Sequence, residues 1–265
     1  MPFTLAAWAQ SVNPAGIFVS LNAVPDQILT ITNVINVLVP PLNRVIAHAA
    51  GVETTAAQQA RLAAPSRRVL VLQRVAPTQG NAAAASLPGD PHKVNDLRAS
   101  PLPMITGEAS TFDINSAPAA VQAQWGLVWF ADGPIAPIVG NMFTARATGT
   151  TVLGVLVWTL VPFVLAESLP RGRYQVVGLR AQSAGLIAAR LVFAGGPSAQ
   201  APWRPGALGT NNDRHLEHAM FRYGQLGNWG EFEDTAPPQI ECLSTTADAA
   251  ETFYLDLIQI RAGPG

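Results

Sequence analysis

The chain contains one cysteine, Cys242, and one lysine, Lys93. A lone cysteine permits neither an intramolecular disulfide nor a cysteine metal cluster. Its apolar flanks mark it as a small buried side chain. Charge is scarce: charged residues make up 12% of the 265, against roughly 25% in ordinary soluble domains. The formal net charge is −1 and no basic tract occurs. Such a chain has no long-range field to gather nucleic acid, so no sequence-specific nucleic-acid binding is expected. So few charges also leave a free monomer poorly protected against association. A codon bias toward Ala, Gly, Pro and Arg accounts for this, as does a surface covered by other subunits.

The familiar catalytic signatures are missing too. Serines occur without the G-x-S-x-G elbow, and the cysteine has no adjacent histidine. No glycine turn carries a P-loop lysine or the Rossmann spacing. His215 and His218 are the weak metal candidates, because an i, i+3 pair can share one side of a helix. They lack an identifiable third ligand, and a polar helix surface pairing with Arg214 and Arg222 explains them more simply. His48 falls in an alternating strand and His92 in a proline-rich loop, neither beside a nucleophile. No catalytic residue, metal or cofactor is therefore expected. The start, MPFTLAAWAQ, lacks the basic and apolar regions of a secretory signal. Between Arg146 and Glu167 lie 20 uncharged residues, long enough to span a bilayer. Pro162 and the Thr-rich opening favour two buried strands there instead.

Gly and Pro contribute 22 residues each, which breaks long helices and suits many short strands. Strands are expected over 3–10, 16–22, 44–50 and 56–62, and a strand or a bent pair of strands over 27–39. An irregular stretch over 65–103 follows, too long for a simple connection. In 116–130, Val121, Ala123, Trp125, Leu127 and Trp129 alternate with polar or small residues. That pattern reads as a sheet with one face toward a core. The Asp132-Gly133-Pro134 break divides the chain into 1–132 and 133–265. In the second part strands are expected over 135–147, 151–166, 173–182, 186–193, 239–243 and 252–260. Ile187, Leu191 and Phe193 point to the core and Arg190 away from it. Asp213 to Tyr223 is the best helix candidate, ended by Gly224.

The two halves repeat. Arg61-Leu62 matches Arg190-Leu191 at an offset of 190 − 61 = 129, and Arg44 then matches Arg173. A second pair of segments matches at 244 − 116 = 128, laying Trp125 on Phe253, Leu127 on Leu255 and Trp129 on Leu257. About eight strands per half suit an all-β chain of two tandem jelly-roll β-sandwiches with short helices in loops.

Several stretches carry a resemblance: LPRGRYQVVGLRAQSAGLIAARLVFAGG, APWRPG, ARLAAPSRR, SPLPMITGEAS and WGLVWFADGP. Together they resemble the double jelly-roll major capsid proteins of small icosahedral, membrane-containing bacteriophages. The resemblance implies a virion structural protein without an active site. It further implies a homotrimer with pseudo-sixfold outline, neighbouring capsomers, penton and minor capsid proteins, and an inner-membrane lipid layer. Candidate intersubunit residues are Arg67, Arg68, Trp203, Arg204, Arg214 and Trp229 in loops or the helix. The competing reading is a lectin-like, carbohydrate-binding two-domain β-sandwich, with Trp203, Trp229 and Asp234 at its site.

Overall fold

The computed structural model describes residues 2–53, 58–67, 74–75, 94–193, 202–210 and 219–263. The described chain is all-β, and its regular helical turns are the 3-10 turns Pro65–Arg67 and Ala219–Phe221. It divides into two units, Leu5–Pro134 and Met1–Thr4 together with Ile135–Gly265. The division falls two residues past the expected Asp132, and the first four residues join the second unit. Phe3 explains that membership in part: its ring meets Trp229 edge-on, centroids 5.0 Å apart. Thr4 Oγ1 accepts the amide hydrogen of Arg204 at 3.3 Å.

The N-terminal unit is built from β1 (Phe3–Val12), β2 (Val19–Ser20), β3 (Ile31–Thr32), β4 (Asn36–Leu38), β5 (Arg44–Val52) and β6 (Gln58–Ala63). These are followed by β7 (Arg74–Val75), β8 (Val94–Asp96), β9 (Leu102–Pro103), β10 (Ala109–Ser116) and β11 (Gln122–Ala131). One sheet runs β1-β11-β5-β8 with β9 beside β5; the other runs β3-β4-β10-β6-β7 with β2 beside β10. Of the two forms expected over 27–39, a strand or a bent pair of strands, the pair is found: β3 and β4 make a hairpin, because Asn33 and Val34 adopt φ values of 51° and 63° and reverse the chain. The Ala/Gln-rich β6, a helix on propensity alone, is a strand because β10 pairs along its whole length. Between the sheets lie Trp8, Phe112 and Ile114, all fully buried.

The C-terminal unit contains β12 (Met142–Gly149), β13 (Thr159–Val161), β14 (Val164–Leu165), β15 (Gly172–Gln182) and β16 (Leu186–Val192). β17 (Gly206–Thr210), β18 (Gly230–Glu233), β19 (Gln239–Ser244) and β20 (Glu251–Ala262) complete it. These form one nine-stranded sheet, β13-β19-β16-β17-β15-β20-β12-β14, with β18 beside β15. Its two terminal strands, β13 and β14, are separated in sequence only by Pro162 and Phe163. A sheet whose ends are covalent neighbours must curl back on itself. β17 makes the turn, pairing antiparallel with β16 and parallel with β15.

The two units share one connectivity. Set aside β2, β3, β9 and β14, and each unit has eight strands. In both, the first, eighth, third and sixth strands lie side by side, and so do the second, seventh, fourth and fifth. Register corrects one part of the sequence match. Gly126 pairs with Ala50, and Leu255 pairs with Leu179. Both positions give the same offset, 255 − 126 = 129 and 179 − 50 = 129. The value of 128 for this segment is one residue out, and Trp125 corresponds to Tyr254. A single-residue slip exchanges the two faces of a strand. A Cβ at Gly126 would overlap the Phe112 ring, so Gly126 faces the other sheet and Trp125, Leu127 and Trp129 lie on the opposite face. β11 misled the pattern because it is buried on both faces. Gln124, expected toward solvent, is fully buried; it accepts from Ser116 Oγ at 2.9 Å and donates to the Val12 carbonyl at 3.2 Å.

Two further expectations change. Of the helix over 213–223, residues 213–218 lie outside the described residues. Ala219–Phe221 is a 3-10 turn, and Tyr223 at φ 47° and Gly224 at φ 76° turn the chain sharply. The uncharged stretch 147–166 does form two strands broken at Pro162, but Val164 is 72% exposed rather than buried. No helix among the described residues is long and apolar enough to cross a membrane.

Candidate functional site

Each unit carries the same polar cluster on its fourth and seventh strands. In the N-terminal unit Arg61 lies directly opposite Asp113, with Nε donating to Oδ2 at 2.7 Å. The guanidinium rests 4.3 Å from the ring centroid of Phe18, the residue before β2. In the C-terminal unit Arg190 lies opposite Glu241, with Nε donating to Oε2 at 2.6 Å. That guanidinium rests 4.0 Å from the ring of Trp158, the residue before β13. An arginine on the fourth strand, a carboxylate opposite it on the seventh and an aromatic ring over the guanidinium are thus repeated. The two clusters differ in solvent: the Arg61 side chain is 42% exposed and that of Arg190 only 2%.

These clusters set register more than they add stability. A buried ion pair roughly breaks even against an apolar pair of the same shape, whereas losing one partner costs about 3–5 kcal/mol. A shifted β16 would strand Arg190 without Glu241 and without its ring. Sequence reading found Arg61 and Arg190 as a matching pair but missed their carboxylates. The signal was available, since Asp113 and Glu241 are separated by 241 − 113 = 128 residues.

A second network lies in the C-terminal unit. The fully buried Asp256 carboxylate accepts from Thr144 Oγ1 at 2.7 Å, Arg180 Nη2 at 2.9 Å and the Tyr223 amide at 3.0 Å. Arg180 also lies 5.7 Å from the Tyr223 ring and 5.2 Å from the Tyr254 ring. A Cβ at residue 178 would stand 2.5 Å from Asp256 Oδ2, so the close approach requires Gly178. The network holds Tyr223 in its left-handed conformation, which costs about 1–2 kcal/mol for a non-glycine residue.

The predicted site residues fall into three groups. Trp125, Leu127, Trp129, Ile187, Leu191, Phe193, Phe253, Leu255 and Leu257 are all buried. Arg68, Arg214, His215 and His218 lie outside the described residues. Of the remaining candidates, Trp229 is fully buried and its amide donates to the Val176 carbonyl at 2.9 Å. Its ring docks onto its own unit against Phe3 and offers no platform to a sugar. Arg204 is buried beside Thr4, and Trp203 is half-buried in the preceding turn. Arg67 closes the 3-10 turn, where Glu108 accepts from the amide and hydroxyl of Ser66 at 2.9 and 2.6 Å.

Three buried titratable groups lie outside these networks. Burial lowers the His48 pKa to about 4, partly opposed by a backbone hydrogen bond. Burial raises that of the nearly inaccessible Glu251, opposed by the amides of Thr151 and Glu251 and aided by the negative charge of Asp248. The Cys242 thiol is likewise pushed well up by burial and is a core side chain. Among the described residues no three His, Cys, Asp or Glu side chains are grouped to hold a metal. A cleft of about 260 Å³ is lined by Arg171, Glu233, Asp234 and Arg261. Its carboxylates are engaged internally: Glu233 with Arg261 at 3.1 Å, Asp234 with the Gly172 amide at 2.8 Å.

No protein-family model matches the chain, and neither a curated protein nor a solved structure matches it. The repeated connectivity and the paired clusters therefore carry the functional reading.

Proposed function

We propose that this chain is a structural shell protein, two jelly rolls in tandem, working as the major capsid subunit of an icosahedral virion. Three copies would form a pseudo-hexameric capsomer, and capsomers would tile the shell over an internal membrane. The observation that carries the reading is the strand order found twice, first-eighth-third-sixth and second-seventh-fourth-fifth. That order supports the jelly-roll reading, an architecture used by viral capsid and lectin domains. Two units of one connectivity let three chains offer six similar blocks around an axis, which suits hexagonal tiling. The duplicated clusters of Arg61 and Arg190 support a common origin for those blocks. The sparse charge supports a chain whose flanks are covered, since permanent interfaces resemble a domain core cut in half.

Native mass spectrometry and negative-stain imaging of the purified chain test the proposal. The expected result is a trimer that assembles further into curved sheets or closed shells. A stable, well-folded monomer at all concentrations would refute it.

A further inference from the structure

Residues 150–157, which join β12 to β13, are loosely tied down. The Leu153 amide donates to the Asp248 carbonyl, that of Gly154 to Thr159 Oγ1 and that of Leu156 to the Ser244 carbonyl, each at 2.8 Å. Val152, Val155 and Val157 are exposed, and within the segment only Leu153 is buried. Leu156 sits at φ 56°, a left-handed conformation costly to a side chain of its kind. A segment with one buried anchor and a strained residue opens more readily than the sheet it spans.

Glu251 lies beside the start of this segment. It is 1% exposed and stands opposite Gly149, the last residue of β12. A Cβ at Gly149 would meet Val161 and stand 2.8 Å from Glu251 Oε2 and 3.4 Å from Phe253. The carboxyl group is thus packed over bare backbone in apolar company.

No cation faces that carboxyl group from the described elements around it. The segment has no ionisable side chain, and neither has any other position between Arg146 and Glu167. Arg146 pairs with Tyr254, on the opposite face of β12 from Gly149. From β19 comes Cys242, whose thiol burial keeps neutral, while Glu241 is engaged by Arg190. From the loop before β20 comes Asp248, a second negative charge, held ionised by Ser183 Oγ at 2.7 Å and the Ala184 amide at 2.9 Å. The Thr151 amide favours an ionised Glu251, but burial outweighs it. A carboxylate formed here has to reach water.

We propose that residues 150–157 are a proton-operated strap, closed over the neutral carboxyl of Glu251 and released when that group ionises. Release bares Leu153 and the apolar pocket around Val161 and Phe253, so pH selects between two surfaces at this end of the C-terminal unit. The device works in the single chain and needs no assembly. Below about pH 4.5 the closed and open forms both hold the proton. Above it the open form ionises first, and release grows by up to about tenfold per pH unit until the closed form ionises as well.

Hydrogen–deuterium exchange of the full chain, followed by mass spectrometry from about pH 4.5 to 8 and corrected for intrinsic rates, tests the strap. In the parent, protection over 150–157 should fall at least about tenfold across the range. In Glu251→Gln it should stay level, with Leu179 and Leu255 of β15 and β20 protected throughout in both proteins. The same pH dependence in parent and Glu251→Gln would overturn the proposal. So would loss of protection at Leu179 and Leu255 in step with the strap, since the whole unit is then unfolding. Asp248→Asn gives a second reading that does not depend on the folding of Glu251→Gln: it keeps an acceptor for Ser183 and Ala184 and drops the charge. Its release should level off at a lower pH than the parent's, and levelling at the same pH counts against the strap as decisively.

Discussion

Arg190 stands in the C-terminal unit where Arg61 stands in the N-terminal one, each facing a carboxylate on the seventh strand and flanked by an aromatic ring. Equivalent chemistry in unequal burial makes the pair a controlled comparison. Arg190→Ala leaves Glu241 unpaired in a site almost closed to water, and should cost about 3 kcal/mol. Arg61→Ala, at the more solvated site, should cost about 1 kcal/mol. Replacing both partners by apolar residues, Arg190→Met with Glu241→Leu, should recover most of the first loss. Urea unfolding of the three variants checks all of these values.

Glu251 should make the protein less stable as pH rises. Burial raises its folded pKa above the usual 4.5. Below 4.5 both folded and unfolded states hold the proton and no penalty exists. Above it the unfolded state ionises first, so stability falls until the folded carboxyl ionises too. Glu251→Gln removes that slope, and its thermal midpoint should exceed the parent's at pH 8 but not at pH 4.

His48 works in the opposite direction. Its pKa drops from 6.5 to about 4 on folding, so the unfolded chain takes up the proton first as pH falls. Stability is fully present above 6.5 and is lost between 6.5 and about 4. His48→Gln should flatten the acid limb, with a gain on the order of 2 kcal/mol at pH 4 relative to the parent's own decline. Midpoints measured from pH 4 to 7 would reveal it; parallel curves would contradict the assignment.

Val34 is a β-branched residue at φ 63° on an exposed turn. That conformation suits asparagine and penalises valine. Val34→Asn should therefore stabilise the isolated chain by about 1 kcal/mol in urea unfolding.

Gly126 lies against Phe112 with no room for a Cβ. Gly126→Ala should destabilise by about 2–3 kcal/mol through overpacking. Adding Phe112→Leu should return part of that loss, which a local clash predicts and a general backbone effect does not.

Much of the architecture was legible because strand content, turn residues and alternation are local properties. The breaks at Asp132-Gly133-Pro134 and Pro162 and the strands carrying Arg61 and Arg190 follow from near neighbours; the half-buried alternation expected from Ile187 to Phe193 does not hold, because β16 is buried on both faces and Arg190 is only 2% exposed. The face of Trp125 was not legible. A strand apolar on both sides carries no polar marker of its inner face, so matching Trp125 to Phe253 by bulk chose the wrong register. The loop position of Trp229 left open what its ring would dock against, and the answer, Phe3, lies more than two hundred residues away.

The sequence by itself determined that the chain is β-rich, internally repeated, poor in charge and broken into short strands. Each of these depends on composition or on residues within a few positions of one another. Only tertiary structure decided which strands adjoin, that Asp113 and Glu241 complete the two arginine clusters, and that the uncharged stretch after Arg146 is a sheet seam turned to solvent. Those outcomes depend on hydrogen-bond register between strands distant in the chain, where a shift of one residue exchanges buried and exposed faces while leaving every local propensity unchanged.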